Sequence, residues 1–189
     1  MHWRHLFTTP NLLSLGRIVA IPFIVAALDM TSRHPQIGLI AAFLMGLAGI
    51  SDILDGYFAR KYRDVSTLGK LLDPVADKMI VAAALIMLVQ LDRVPAWLAI
   101  LMILRELYVN SLRGIAAASG TVIAAETLGK IKTVCQFVGL IAFMVGTMLP
   151  ILPHLLVFSI AWGGVLVAAG FSLISAVDYT RRYLAILRG

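Results

Sequence analysis

The sequence predicts an all-α integral membrane protein, six transmembrane helices in one bundle preceded by a short interfacial amphipathic helix. Two observations lead there. Of 189 residues 60% are hydrophobic and only 14% charged, and mean hydropathy is +0.93, far more apolar than a water-soluble domain of this length. The apolar residues also gather into runs at roughly 12–29, 37–60, 74–91, 95–118, 130–150 and 153–178, each close to the ~20 residues a helix needs to cross a bilayer.

The elements follow in chain order. Residues 1–10 mix Trp3, Arg4, His5, Leu6 and Phe7 ahead of Pro10, a composition suited to a helix lying in the membrane interface. The first apolar run follows Asn11, carries Arg17 and has no small-residue cleavage site, so it is expected to stay as a helix and not to be removed as a signal peptide. Short polar segments separate the next runs, the longest being Arg60 to Lys70. No repeat or linker divides the chain, which predicts a single membrane domain over 1–189, with a bundle over 12–178 and a cytoplasmic tail over 179–189.

Charge sets the orientation. Arg33 and Arg93 are nearly alone on one side, whereas Arg4, Arg60, Lys61, Arg63, Lys70, Lys130, Lys132, Arg181, Arg182 and Arg188 collect on the other; by the positive-inside rule both termini are cytoplasmic. The net charge of +6 is then a topology signal and an attraction to anionic lipid headgroups. No motif supports a nucleic-acid partner. Cys135, the one cysteine, cannot form an internal disulfide and reads as a small buried hydrophobe.

The chemistry lies in the acids. Four of only ten, Asp52, Asp55, Asp73 and Asp77, fall at helical spacings beside apolar runs. Carboxylates in such surroundings are expensive unless a cation offsets their mutual repulsion. The pattern reads Asp52-x-x-Asp55-Gly56-x-x-Ala59-Arg60, eight residues, then Gly69-x-x-x-Asp73-x-x-x-Asp77. Asp52, Asp55, Gly56 and Ala59 share one helix face, and Gly69, Asp73 and Asp77 share another if the third helix begins early. Carboxylate oxygens without His or Cys select hard divalent ions, Mg²⁺ or Mn²⁺, which commonly work with phosphates. Gly56 and Ala59 leave room for a bulky ligand, and Arg60 can pair with a phosphate.

This motif resembles the signature of the CDP-alcohol phosphotransferase family of membrane enzymes. The resemblance implies a six-helix fold, a homodimer, and a cytoplasm-facing cavity holding a CDP-linked donor and two divalent ions. It implies further that Asp52, Asp55 and Asp73 ligate metal and that Asp77 both ligates metal and acts as general base on the acceptor hydroxyl. Gly56, Arg60 and Ser66 match positions near the cytidine or its phosphates, with Asp52 and Ala59 beside them. Asn11, at the mouth of the first helix, is expected either to reach the nucleotide or to cap that helix.

The acceptor is read from the basic residues. Arg105 lies inside the fourth run, Arg113 eight residues later, and Lys130 and Lys132 in Gly129-Lys130-Ile131-Lys132-Thr133. An arginine within an apolar span needs a partner, and Glu106 is too close in sequence to face the same way on an ideal helix, so an anion is expected to meet Arg105. Arg105 and Arg113 are read as sharing a face. Four inward cations suit a phosphomonoester, although an ordinary positive-inside flank explains Lys130 and Lys132 equally well on charge alone.

Further resemblance runs through Pro10-Asn11-Leu12-Leu13-Ser14 with Arg17, Leu72-Asp73-Pro74-Val75-Ala76-Asp77-Lys78, Arg105-Glu106 and Gly129 to Thr133. It is to family members that use CDP-diacylglycerol and sn-glycerol 3-phosphate in the bacterial inner membrane. Inositol phosphate or serine is the alternative acceptor within the family. A divalent-cation transporter is the alternative outside it, disfavoured because the acids cluster at one membrane boundary and do not continue across.

Overall fold

The computed structural model describes residues 9–62, 67–118, 127–146 and 154–188. Those residues form helices and turns, with no strand among them. In order they are α1 (Thr9–Met30), a one-turn 3₁₀ helix (Pro35–Ile37), α2 (Gly38–Tyr62), α3 (Thr67–Gln90), α4 (Ala96–Ala118), α5 (Thr127–Gly146) and α6 (His154–Arg188). The apolar runs read from the sequence map onto the six α-helices one for one. Of the interfacial segment expected over 1–10, residues 1–8 lie outside the described residues.

Two boundaries differ from expectation. The third helix begins at Thr67, ahead of its apolar run, so the backbones of Gly69, Asp73 and Asp77 all lie within one helix. The sixth continues to Arg188, well past position 178, and the expected cytoplasmic tail is therefore helix. That extension is amphipathic in character: Asp178 and Arg182 pair one turn apart at 2.7 Å, while Tyr179 is buried against Val109 and Ala116 of α4.

The α3–α4 turn shows how local chemistry ends a helix. Arg93 N–H donates to the Leu88 carbonyl at 2.8 Å and Asp92 N–H to the Val89 carbonyl at 3.0 Å, the paired bonds of a Schellman cap. Its left-handed position is taken by Asp92, φ 55°, a residue type that tolerates that region. Pro95 then opens α4, its carbonyl accepting from Leu98 N–H at 3.0 Å.

The core is made of Ile24, Leu28, Met45, Ile80, Leu85, Leu88, Leu98, Met102, Leu140, Met144 and Val165, all fully buried, with alanines between them. α5 and α6 approach most closely. A Cβ on Gly164 would stand 2.8 Å from Gly139 Cα and 2.9 Å from the Cys135 carbonyl, so only glycine lets the two backbones touch there, as small residues do between membrane helices.

The outside is as apolar as the inside: Phe23, Phe43, Trp97, Leu155 and Ile174 are all more than half exposed. A water-soluble fold does not leave such a surface open on every helix, and a bilayer solvates it. Two stretches among the described residues, Pro35–Asp52 and Leu155–Ala185, are long and apolar enough by themselves to cross a membrane. α3 and α4 carry charges within their length, and those charges build the site.

Candidate active site

On the acid side, three helices meet at one guanidinium. Arg17 on α1 is only 2% exposed, and its Nη1 donates both to Asp52 Oδ1 on α2, at 3.3 Å, and to Asp77 Oδ1 on α3. Nη2 lies 3.5 Å from Ser14 Oγ, one turn back along α1. The two carboxylates are about one-third exposed, so the cation closes the floor of a site that remains open above. A buried arginine in an apolar span requires such partners; sequence reading noted Arg17 without giving it a role, and that requirement was the signal.

The fit of this site to a metal can be judged from that convergence. Oxygens from α2 and α3 aim at one point already held by positive charge, and both are hard carboxylate donors of the kind that select Mg²⁺ or Mn²⁺. Asp55, one turn after Asp52, and Asp73, one turn before Asp77, have helical backbones on the same two helices; their side chains lie outside the described residues, as do those of Gly56 to Arg60 and of Lys130. Ser66 lies outside them altogether. Asn11 falls within the first turn of α1, which starts at Thr9, and so does not cap it.

On the basic side the charges are reversed. Glu106 Oε1 accepts from Arg105 Nη1 at 2.8 Å and from Lys132 Nζ, joining α4 to α5. Arg105, 8% exposed, also donates through Nε to the Ser172 carbonyl at 2.8 Å and through Nη2 to Ser175 Oγ, which ties α4 to α6. The expectation that Glu106 faces away from Arg105 is thus corrected. Adjacent Cβ atoms do diverge on a helix, but the long arginine stem turns its planar fork so that separate N–H groups serve acceptors in three directions.

The anion expected at Arg105 is therefore Glu106, and the guanidinium acts as a tie between helices. Arg105 and Arg113 stand eight residues and about 80° apart on α4 and both lie within electrostatic range of Lys78, but Arg105 is buried and turned to α6 while Arg113 is exposed. Lys132 is buried, 5% exposed, which a solvated positive-inside flank would not be.

A cavity of about 340 Å³ opens between α3, α4 and α5, lined by Val75, Lys78, Met102, Glu106, Asn110 and Gln136 among others. Most of its wall is apolar, with polar groups from three helices converging on it, the usual make-up of a ligand site. Lys78 and Glu106 went unassigned in the sequence reading. Lys78 follows Asp77 directly and lines the same cavity as Glu106, within electrostatic range of Glu106, Arg113, Arg105 and Asp52.

Comparison with known proteins identifies the family. The profile of the CDP-alcohol phosphatidyltransferase family matches residues 7–174. A CDP-diacylglycerol–glycerol-3-phosphate 3-phosphatidyltransferase of Bacillus subtilis (strain 168) is 40% identical over 185 residues, 92% of this chain and 94% of its own. One from Rickettsia bellii (strain RML369-C) is 38% identical over 138 residues, 73% of this chain and 75% of its own. A CMP-forming cardiolipin synthase of Oryza sativa subsp. japonica is 34% identical over 198 aligned positions, covering 96% of this chain and 59% of its own. With the family profile spanning both charge clusters and all six helices but the end of the last, the chain belongs to the CDP-alcohol phosphatidyltransferase family.

Proposed function

We propose that this chain transfers a phosphatidyl group from CDP-diacylglycerol to sn-glycerol 3-phosphate, giving phosphatidylglycerophosphate and CMP. The observation that carries it is the pair of opposed charge clusters, two acids on one cation beside two cations on one acid. They occur in a chain 40% identical along nearly its whole length to a protein named for that reaction.

Asp52, Asp55, Asp73 and Asp77 are the residues that would hold the Mg²⁺ or Mn²⁺, two ions by family resemblance. Such cations, when bound, neutralise pyrophosphate charge and stabilise departing CMP. Asp77 takes the proton from the 1-hydroxyl of sn-glycerol 3-phosphate as that oxygen attacks the phosphorus bearing diacylglycerol. The new O–P bond forms, the bond to the CMP oxygen breaks, and the proton passes from Asp77 to water. No covalent enzyme intermediate is needed.

Gly56 and Ala59 leave space for the donor, and Arg60, Ser66 and Asn11 hold its nucleotide end. Lys130 and Lys132 receive the acceptor phosphate, Arg113 attracts it at the exposed mouth, and Arg105 fixes the cluster to α6. All six helices cross the bacterial inner membrane, with both termini and the site on the cytoplasmic side. Acyl chains then remain in lipid while the charged headgroup enters the cavity. The working unit is a homodimer.

Purified protein given CDP-diacylglycerol, Mg²⁺ and labelled sn-glycerol 3-phosphate should form labelled lipid and CMP in equal amounts. A folded, metal-loaded sample that makes neither would refute the reaction. Competition with inositol phosphate and serine tests the acceptor, and metal flux into proteoliposomes without CMP release would point instead to transport.

A further inference from the structure

Glu106 carries a consequence that the transfer reaction alone does not require. Both of its cations donate to one oxygen, Oε1, as they would to a terminal phosphate oxygen. Arg105 is fixed in place by Ser172 and Ser175 on α6, and Lys132 is buried. The Glu106 side chain, 19% exposed, reaches the wall of the cavity that Lys78 also lines. A carboxylate gripped by two buried cations at the edge of an open cavity is an anion already sitting where an anionic ligand would be received.

We propose that Glu106 is a built-in occupant of the acceptor-phosphate seat, a specificity-determining residue whose carboxylate holds Lys132 and Arg105 until a phosphomonoester dianion displaces it. The inference rests on the transfer reaction proposed above and adds to it a residue and a rule for choosing the acceptor.

The rule is one of exchange. Lys78, Arg105 and Lys132 with Glu106 carry two net formal positive charges, the match for one phosphomonoester. A dianion entering in place of a monoanion gains attraction from the same cations. An alcohol without phosphate gains nothing, because the cations would have to release a desolvated carboxylate in return for a neutral group. Selection is therefore made by an internal competitor as well as by attraction. Lys78, in the same cavity wall, receives the displaced carboxylate, and after transfer Glu106 returns to Lys132 as the phosphate leaves.

Titration calorimetry of inorganic phosphate into the detergent-solubilised full chain reads the seat independently of turnover. Glu106→Gln keeps the shape and removes the competing charge, and phosphate should then bind about tenfold tighter. A purely structural role predicts equal or weaker binding. Glu106→Asp keeps the charge but shortens its reach, so phosphate binding should tighten by about threefold. In the wild-type protein, phosphate should shift a carboxylate infrared band, assigned to Glu106 by its different position in Glu106→Asp.

Unchanged or weaker phosphate binding in a Glu106→Gln protein that unfolds normally, or no band shift in the wild type, overturns the proposal. sn-Glycerol 3-phosphate must compete with phosphate for the seat; competition from phosphatidylglycerophosphate micelles alone would overturn the acceptor assignment. Lipid synthesis measured on the same preparations separates the two readings. A phosphate-induced shift without synthesis refutes the transfer reaction and keeps the seat, whereas synthesis without the shift refutes the seat only.

Discussion

Arg17 and Glu106 solve the same problem with opposite signs. One is a cation shared by two carboxylates from α2 and α3; the other is a carboxylate shared by two cations from α4 and α5. Each removes the cost of placing charge among apolar helices, and each ties helices together in doing so. They differ in what is left over. The acid cluster keeps surplus negative charge and suits a metal ion. The basic cluster keeps surplus positive charge and suits a phosphate. A two-substrate reaction between a metal-bound pyrophosphate and a phosphorylated alcohol needs both surpluses within one molecule.

The comparison breaks most readily at Asp77. Asp77→Asn preserves size but removes the proposed base and metal ligand, and transfer should fall by at least about 10³-fold, the scale of lost general base catalysis. Measurement of CMP release at saturating donor and acceptor checks it. Glu106→Gln, the mirror substitution in the basic cluster, must retain measurable transfer. Equal losses at the two positions would show that the clusters do not have the separate roles assigned to them.

Arg105 gives the next largest effect, on stability. Arg105→Leu takes one of its two cations from Glu106 and strips the Ser172 carbonyl and Ser175 hydroxyl of a buried donor. A loss of about 3 kcal/mol is expected for breaking a buried pair from one side, read as a lowered unfolding midpoint in mild detergent. Were Arg105 no tie between helices, stability would hold and only the acceptor requirement would rise.

What could be read from the sequence divides along the same line. The helices were legible because membrane spans are written in composition: the run at 95–118 became Ala96–Ala118, and that at 37–60 became Gly38–Tyr62. The aspartate motif was legible because its spacing is local to two helices joined by a short segment. The partners were not. Arg17 meets Asp77 across sixty residues of chain, and Lys132 meets Glu106 across twenty-six, distances over which helical periodicity carries no information. Where a local rule was applied to a long side chain, at Arg105 and Glu106, it gave the wrong direction, because a flexible stem with a planar fork is not bound by the angle of its Cβ.

Lys132 sharpens the comparison with a smaller change. Lys132→Gln removes one of the two cations on Glu106 and one proposed receiver of the acceptor phosphate. The KM for sn-glycerol 3-phosphate should rise about tenfold, the value of one charge-assisted hydrogen bond, while the KM for CDP-diacylglycerol stays within twofold. Lys132→Arg should restore much of the loss. A rise in both constants would place Lys132 in the donor site, on the Arg17 side of the molecule.

The smallest effect lies outside both clusters, and it shows why burial matters to the argument. Asp178 and Arg182 form an ion pair one turn apart on α6 at 2.7 Å, shorter than several bonds of the buried clusters, yet both side chains are exposed, at 37% and 45%. Water screens such a pair and side-chain entropy opposes it, so Asp178→Asn should change stability by only about 0.3–0.5 kcal/mol. Raised salt should erase even that, whereas the Arg105→Leu loss should persist, since buried charges are screened far less. A salt-resistant loss at Asp178 as large as that at Arg105 would mean that distance, not desolvation, sets the strength of ion pairs in this fold, and the special standing given to Arg17 and Glu106 would go with it.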